Sequence, residues 1–415
     1  MTNDEYRYSF GIYKELSVNL PDFESLGDRF HHLYLVGRSG MGKSTVMENL
    51  AGYDISQGYS VIFIDPKGES ADKLYYHFRE NPDVRYVSFN NPIAVNLFEK
   101  QGYDYDTLLG EFSQILDNVI TTTSSNPEST VRMKEVIEKA LDSFQPEDLS
   151  IKHLSDFLTD KDLRNNYDYA NPENKKWWNN LFNPGKTAYK KMSDYDLTMS
   201  SVASRLHQAL RNNKTNVFID KPNELDIDEL VQAGKSLIIN IETSNDFVKV
   251  FVANLFVGAI LSYMNQVKKA KPLFVYIDEF DLVASGMFAE SLQLGRSSKV
   301  GFTLGHINFS SAKSENHKKM MLAIIDSILG SVSNYLVFNT SPVIAKVMSD
   351  VFNLKISDFT GMDKYEARLC LGTNKFYINT KKPVLKEVPD DFIFPSINQV
   401  KPETLDFLAD DWIMI

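Results

Sequence analysis

Residues 33–50 of the chain read LYLVGRSGMGKSTVMENL. An apolar run leads into a glycine-rich turn that ends in Lys-Ser-Thr, and a helical pattern follows. Residues 37–44 match the motif G-x-x-x-x-G-K-[S/T] in full. Glycines let a backbone close around phosphate without Cβ clashes, and the N–H groups at the start of the next helix then point inward. The stretch therefore predicts a phosphate-binding loop between a buried strand and a helix.

The residues of this loop have distinct expected roles. We expect the Lys43 ammonium to reach the β- and γ-phosphates of a nucleotide and the Ser44 hydroxyl to bind Mg²⁺. For Arg38 we expect solvent exposure, with contact to the base or to a neighbouring chain as the alternative. The predicted nucleotide contacts in this loop are Gly37, Arg38, Ser39, Gly40, Met41, Gly42, Lys43, Ser44 and Thr45.

An acidic pair supplies the rest of the expected chemistry. Residues 273–280 read LFVYIDEF, an apolar strand that ends in Asp278 and Glu279. Ligands bind at the carboxyl ends of the strands in parallel sheets. Asp278 is therefore a candidate metal ligand, and Glu279 a candidate general base that polarises the attacking water. The alternative is an ordinary acidic strand end. An Asp-Glu pair favours hydrolysis, and the sequence contains no Asn-Lys-x-Asp stretch to read guanine, which favours ATP over GTP.

Apolar runs alternate with helical patterns along much of the chain. This alternation predicts an α/β fold with a central, mostly parallel sheet covered on both faces. From about residue 103 the pattern becomes polar and helical, and strand signals return near residue 236. We therefore predict five segments: a lead-in, a first part of the nucleotide-binding domain, an inserted all-α domain, a second part of the nucleotide-binding domain and a tail. Their bounds are 1–30, 31–102, 103–215, 216–385 and 386–415.

The charge balance excludes one class of protein. The 415 residues carry a net charge of −11, so a surface that is basic all over is excluded. Residues 186–214 are nevertheless locally basic. This basic strip would contact DNA phosphates without reading sequence, or it would be only a solvated face. Trp177 and Trp178, just before it, are expected in the core rather than as platforms for bases. The basic residues of the strip are Lys186, Lys190, Lys191, Arg205, Arg211 and Lys214.

The sequence also carries signals of compartment. The single cysteine, Cys370, cannot form a disulfide within the chain, and it is expected to be a small buried hydrophobe. Residues 1–10 are polar and do not form a signal peptide. The apolar stretch 250–264 is shorter than the roughly 20 residues of a spanning helix, so it predicts a buried helix. We therefore expect a cytoplasmic protein without a transmembrane segment of its own.

The order of the motifs resembles that of the HerA–FtsK superfamily of motor ATPases. Within it, the chain is most similar to the soluble part of type IV secretion coupling proteins, over roughly residues 30 to 380. The specific features are the turn Asp65-Pro66-Lys67-Gly68 after the second strand and the helical insertion between the phosphate loop and the acidic pair. In order, the matching stretches are the phosphate loop, VIFIDPKGE, NNPIAVNLFE, the insertion, ELVQAGKSLIINIE, VYIDEF, SSKVGFTLGH and ILGSVSNYLVF.

The resemblance implies a mechanism and partners. Such proteins have a RecA-like P-loop fold, usually form hexamers, hydrolyse ATP with Mg²⁺ at subunit interfaces and pull double- or single-stranded DNA through a pore. It implies that Asp65 and its turn lie near the nucleotide, with a plain Pro-Gly turn as the alternative. It further implies sequence-independent contact with DNA, and secretion-channel or relaxosome-like protein partners that would hold the chain at the inner face of the membrane.

Two further site residues follow from the resemblance. An arginine is expected to reach the γ-phosphate of a neighbouring subunit; Arg296 is the nearest match and Arg205 is its rival, and a surface arginine is the alternative reading. A polar sensor of the γ-phosphate is expected at the end of the next strand. The superfamily often has glutamine there, whereas this chain has Gly305-His306-Ile307-Asn308. Asn308 or His306 would make the same hydrogen bond, with core or capping roles as the alternative.

Four functions are compatible with these motifs. A ring-forming ATP-driven DNA translocase is the preferred reading. The alternatives are a type IV secretion or pilus-assembly ATPase that moves protein, a viral DNA-packaging ATPase, and a platform whose assembly is gated by ATP. Stimulation of ATP turnover by DNA would separate the DNA motors from the others.

Overall fold

The computed structural model describes most of the chain. The described residues are 11–13, 26–95, 110, 112–113, 115–116, 119, 127–182, 189–211, 218–219, 223–267, 269–284, 286–307, 322 and 325–396.

One ten-stranded sheet organises these residues. Its strands lie in the order β1-β10-β9-β8-β2-β7-β6-β3-β5-β4. From β8 to β4 all neighbours pair in parallel, whereas β9, β10 and β1 extend the sheet as antiparallel strands. The strands are β1 Gly11–Tyr13, β2 Leu33–Val36, β3 Ser60–Asp65, β4 Val84–Val87, β5 Ser236–Asn240, β6 Leu273–Ile277, β7 Val300–His306, β8 Asn334–Phe338, β9 Glu366–Leu371 and β10 Asn374–Thr380.

Helices cover the sheet and fill the segment between β4 and β5. The α-helices are α1 Lys43–Ser56, α2 Glu69–Phe78, α3 Pro127–Leu141, α4 Ile151–Thr159, α5 Lys161–Asn166, α6 Pro172–Phe182, α7 Tyr189–Arg211, α8 Ile227–Gln232, α9 Asp246–Gln266, α10 Gly286–Ser291, α11 Gly295–Ser298, α12 Pro342–Phe352 and α13 Ser357–Thr360. Short 3₁₀ segments occupy Leu26–His31, Pro146–Asp148, Phe280–Leu282 and Leu292–Leu294.

Strand β2 explains why the sheet is covered on both faces. All four of its side chains are buried, and successive side chains of a strand point to opposite faces. Leu33 and Leu35 belong to the hydrophobic cluster that contains residues of α1 and α2. Tyr34 and Val36 belong to a second cluster that contains α9. The prediction of an α/β fold with a mostly parallel, doubly covered sheet is therefore confirmed.

The helical segment before β5 shares its core with the sheet. Phe157 of α4 and Trp178 of α6 lie in the same hydrophobic cluster as Val36 of β2 and Phe251 of α9. In the described part of the segment 103–215 all regular elements are helical. Its helices therefore pack directly on the helical cover of the sheet, and the bounds 103–215 stay a prediction.

Helix α9 is longer than the sequence pattern indicated. The predicted apolar stretch was 250–264, whereas the helix has 21 residues, Asp246–Gln266. Among the described residues it is the one helix long and apolar enough to cross a membrane, yet 94% of its most apolar window is buried inside the protein. The expectation of a buried helix agrees with this burial, whereas the argument from short length was wrong.

The edge strand β1 is the other departure. It pairs with β10 inside the predicted lead-in 1–30, for which no strand was predicted. Three residues of an edge strand are too few for their apolar alternation to stand out in a sequence.

Candidate active site

Four parallel strands end at one edge of the sheet, and a pocket lies there. β2 runs into the phosphate loop, β3 into the turn after Asp65, β6 into the acidic pair and β7 into Ile307. The pocket is lined by Ser39, Gly40, Gly42, Lys43, Ser44, Thr45, Lys67, Asp278, Ile307, Lys364 and Tyr365.

The phosphate loop depends on glycine and on two neighbouring loops. Gly42 has φ +117°, and a Cβ there would lie 2.8 Å from the ring of Tyr365. The Arg38 N–H donates to Asn339 O at 2.8 Å, and the Tyr365 N–H donates to Met41 O at 2.9 Å. Helix α1 begins at Lys43, so its free N–H groups open into the pocket. The loop is therefore held from outside and leaves its concave side for an anion.

Lys43 lies inside the loop. Its Nζ donates to Gly37 O at 2.7 Å and to Arg38 O at 3.0 Å. Burial lowers the pKa of the Lys43 ammonium to about 8, although the nearby Asp278 opposes the shift. The backbone carbonyls of the loop thus hold the ammonium at the place where a phosphate would approach it.

Ser44 and Asp278 meet across the pocket. Ser44 Oγ donates to Asp278 Oδ2 at 3.1 Å, and the Asp278 carboxylate is buried. The Asp278 N–H donates to Ile64 O at 3.2 Å, which ties the end of β6 to β3. A hydroxyl and a carboxylate are the hard oxygen ligands that Mg²⁺ prefers, and Mg²⁺ takes its other oxygens from phosphate and water. The two side chains therefore fit a magnesium–nucleotide site.

Glu279 turns away from the strand direction and meets Lys67. Its φ of +52° is the left-handed conformation, which ends β6 abruptly. Its N–H donates to Asp278 Oδ1 at 3.0 Å. Its carboxylate Oε1 lies 2.6 Å from Nζ of Lys67, which lines the pocket, whereas Glu279 itself is not among the lining residues. The acidic pair is thereby split: Asp278 faces Ser44, and Glu279 faces the turn after β3.

Asp65 organises that turn from its buried position. Its Oδ1 accepts from the Lys67 N–H at 2.8 Å, and its Oδ2 accepts from the N–H groups of Ser70 at 2.8 Å and Ala71 at 3.0 Å. Burial, with the repulsion of Asp278, raises the pKa of the Asp65 carboxyl to about 6. Asp65 therefore caps helix α2 and holds the turn, and it is Lys67 that lines the pocket.

Some predicted loop contacts lie outside the pocket lining. Six of the nine residues line it, but Gly37, Arg38 and Met41 do not. Arg38 is exposed, and Met41 packs against the hydrophobic cluster of α1 and α2. Gly37 contributes its carbonyl to Lys43.

The predicted arginine and sensor residues are dispersed. Arg296 is exposed on α11, before the start of β7 and so at the opposite edge of the sheet from the pocket. Arg205 is in α7, and its side chain is outside the described residues, as is Asn308. His306 is buried at the end of β7, where its Nδ1 hydrogen-bonds to the Tyr34 hydroxyl at 2.7 Å. The roles of these residues stay predictions.

The predicted basic strip 186–214 falls mainly outside the description. Helix α7 covers residues 189–211, but the side chains of its basic residues are outside the described part. Just before it, Trp178 is buried and its Nε1–H donates to Ser143 Oγ at 3.2 Å. Trp177 is half-buried and packs edge-on against Trp178. Trp178 is therefore a core residue.

Four residues of the pocket, Lys67, Ile307, Lys364 and Tyr365, were not assigned to it from sequence. Lys67 stood within the quoted Asp-Pro-Lys-Gly turn, so its position was marked although its role was not. Lys364 and Tyr365 lie in the loop before β9, about 320 positions after the phosphate loop, and carry no motif. Tyr365 has φ +68°, and the Lys364 ammonium lies 4.9 Å from the centre of its ring. The proximity of this loop to Gly42 is visible only in the folded chain.

Known proteins share both the sequence pattern and the fold. The family model described as the central domain of helicase HerA matches residues 28–261. A comparison with curated protein sequences found no match. Among solved structures, the unbound monoclinic form of the bacterial conjugative coupling protein TrwBdeltaN70 aligns with a TM-score of 0.64 at 14% identity, over 93% of this chain and 92% of that one.

Two other structures align over similar lengths. The plasmid coupling protein TrwB in complex with ADP and Mg²⁺ has a TM-score of 0.63 at 14% identity, over 95% of each chain. VirB4 of Thermoanaerobacter pseudethanolicus has a TM-score of 0.59 at 12% identity, over 92% of this chain and 98% of that one. These likenesses support the RecA-like P-loop fold. Since the family model covers more than half of the residues, the chain belongs to the family of the HerA helicase central domain, within the HerA–FtsK superfamily of P-loop ATPases.

Proposed function

We propose that the chain is an ATP-driven DNA translocase that works as a homo-oligomeric ring, in the manner of conjugative coupling proteins. The observation that carries the proposal is the contact of Ser44 with Asp278 beside the ion pair of Glu279 with Lys67. It supports a hydrolytic site, because a metal-binding pair and a separate carboxylate adjoin one phosphate loop.

Four residues of the site have a chemical role in this proposal. Lys43 would exchange its two carbonyl partners for the β- and γ-phosphates of ATP. Ser44 and Asp278 would hold Mg²⁺, which supplies charge neutralisation on the phosphate oxygens. Glu279 would orient the attacking water and accept its proton. The TrwB structure in complex with ADP and Mg²⁺ supports this choice of nucleotide and metal.

The proposed cargo is DNA, held without regard to sequence. The support is membership of a helicase family and the likeness in fold to plasmid coupling proteins. We place the chain in the cytoplasm, at the inner face of the membrane through secretion-channel or relaxosome-like partners. The likeness to VirB4 favours a second candidate, a type IV secretion ATPase that moves protein.

The test is ATP turnover with double-stranded DNA, with single-stranded DNA and without DNA, read beside particle mass. We expect DNA to raise the turnover several-fold and the mass to correspond to a ring. If the particle has the mass of a ring but neither form of DNA changes ATP turnover, the proposal of a DNA translocase would be wrong. The secretion ATPase would then be the remaining candidate.

A substitution of Glu279 tests whether hydrolysis drives the function. Glu279→Gln should retain ATP binding and lose turnover by about 100-fold or more, so that ATP remains trapped. The matched control is Glu173→Gln, which removes a surface carboxylate that is also 2.6 Å from a lysine. If DNA movement continued unchanged in Glu279→Gln, an assembly platform gated by ATP would replace the motor.

A further inference from the structure

The structure assigns to Lys67 the task of positioning the proposed catalytic carboxylate of Glu279. This inference rests on the proposed ATP hydrolysis. Lys67 Nζ and Glu279 Oε1 lie 2.6 Å apart, and the side chains are 48% and 21% exposed. Charged hydrogen bonds of this length are directional, so a partly buried pair fixes where the carboxylate points.

The sheet brings the two residues together. β3 and β6 are parallel neighbours in which Ile64 pairs with Ile277. Lys67 follows Ile64 by three positions and Glu279 follows Ile277 by two. Their side chains therefore leave the same edge of the sheet from adjacent strands.

Several contacts hold the turn that carries Lys67. Its backbone N–H is held by the buried Asp65 carboxylate at 2.8 Å. Gly68 has φ +84°, and a Cβ there would lie 2.6 Å from Asn240 Nδ2, so the backbone packs closely on β5. Ser70 Oγ donates to the buried Glu48 of α1 at 2.6 Å. The ammonium thus starts from a fixed point tied to the helix of the phosphate loop.

Glu279 needs such a partner because its own backbone does not fix its side chain. It sits in a left-handed turn after the strand has ended, with one N–H bonded to Asp278. A carboxylate that must hold a water in line with the γ-phosphate loses rate steeply when it swings. Lys67 supplies the restraint from the turn after the adjacent strand β3, and it lines the pocket without being part of the phosphate loop.

The test is a double-mutant cycle of Lys67→Met and Glu279→Gln, with single-turnover hydrolysis and nucleotide affinity measured for each. We expect Lys67→Met to lower the hydrolysis rate about 10-fold or more and to leave the affinity for ADP and a non-hydrolysable ATP analogue unchanged. In the Glu279→Gln background the same substitution should have no further effect on rate. Lys67→Arg should restore part of the rate, since it keeps a donor cation.

The control is Lys176→Met, which breaks a surface ion pair of the same 2.6 Å length with Glu173, and it should leave rate and affinity unchanged. A loss of nucleotide affinity in both backgrounds would overturn the inference in favour of a direct phosphate contact. An unchanged or increased rate in Lys67→Met would overturn it too. If Glu279→Gln itself kept the normal rate, the proposed hydrolytic role of Glu279 would fail, whatever Lys67 does.

Discussion

Ser44 Oγ donates a hydrogen bond to Asp278 Oδ2 over 3.1 Å, although 234 positions of sequence separate the two residues. They meet because β2 and β6 flank β7 in a parallel sheet and so end at the same edge. The hydrogen bond occupies a lone pair of the Asp278 carboxylate that a hard cation would take. The contact therefore brings the end of the phosphate loop and the end of a distant strand to one candidate metal site.

Replacement of Asp278 should affect the Mg²⁺ requirement of the ATPase much more than it affects nucleotide affinity. Asp278→Asn removes the charge but keeps an oxygen near Ser44. We expect the Mg²⁺ concentration for half-maximal ATPase rate to rise at least about 10-fold, because one anionic ligand is lost. A magnesium titration of the steady-state rate measures this. Affinity for ADP in the presence of EDTA should stay within a few-fold, and a large drop there would instead indicate a collapsed pocket.

The lowered pKa of Lys43 predicts how nucleotide affinity depends on pH. Burial brings this pKa to about 8, and bound phosphate favours the protonated ammonium. As pH rises through 8, Lys43 of the free protein loses its proton. Nucleotide binding must then be accompanied by uptake of a proton at Lys43. We expect ATP affinity to be level near pH 7 and to fall by up to about 10-fold per pH unit above 8. Titrations from pH 7 to 9.5 measure the slope.

The control for this slope is Lys43→Arg. Its guanidinium stays charged over the whole range, so its weaker binding should not decline with pH. Equal slopes in the two proteins would assign the dependence to another group.

The raised pKa of Glu48 leads to a prediction about stability rather than activity. It is a buried residue of α1, and burial raises the pKa of its carboxyl to about 7, partly offset by the hydrogen bond from Ser70. Because the folded pKa is above the unfolded one, the carboxyl stabilises the protein below about pH 4.5, and that contribution is lost as pH rises through 7. Glu48→Gln cannot ionise and still accepts from Ser70. It should unfold at a higher temperature than the native chain at pH 8.

The difference should shrink towards zero at pH 5 and correspond to at most about 3 kcal/mol at pH 8. Melting of both proteins at the two pH values measures it. Glu173→Gln, at an exposed ion pair, is the control and should show little dependence. If Glu48→Gln were less stable than the native chain at pH 8, the ionised carboxylate would be a favourable partner of α2.

The sequence predicted those features that depend on local patterns. Each of the nine strands from β2 to β10 lies where the sequence shows a strand pattern. The pattern is clearest in β2 and β6, which are buried and apolar at every position because both faces of the sheet are covered there. The proximity of Asp278 to the phosphate loop could also be expected, since both follow strands of a parallel sheet and such ends share an edge. These arguments need no knowledge of strand order.

Other features depend on the folded chain and carry no local signal. The loop with Lys364 and Tyr365 reaches the pocket because β9 runs antiparallel beside β8 and so starts at the edge where β8 ends. The antiparallel direction of β9 relative to β8 cannot be recognised from the sequence of either strand. In the same way, the pairing of Glu279 with Lys67 follows from β3 being next to β6, an order that many topologies of the same strands would not produce.

Gly305 carries a prediction that only the packing of the site reveals. A Cβ at this residue of β7 would lie 2.8 Å from Asp278 Oδ1 and 2.9 Å from Met47 Sδ. The backbone of a central strand cannot withdraw, so Gly305→Ala should push the carboxylate away from Ser44. We expect the ATPase rate to fall about 10-fold and the magnesium requirement to rise as in Asp278→Asn, at a stability cost of about 1–3 kcal/mol. Magnesium titrations and melting curves measure both effects.

Gly330 provides the matched control for this substitution. It lies in the helical stretch 325–331, and a Cβ there would meet nothing within 4 Å. Gly330→Ala should leave the rate and the magnesium requirement unchanged and should stabilise the chain by up to about 1 kcal/mol, because alanine favours a helix. If Gly305→Ala lost stability but kept the normal magnesium requirement, the flexible Met47 side chain alone would have moved. In that case the absence of a side chain at Gly305 would serve the packing of α1 on the sheet and not the position of Asp278.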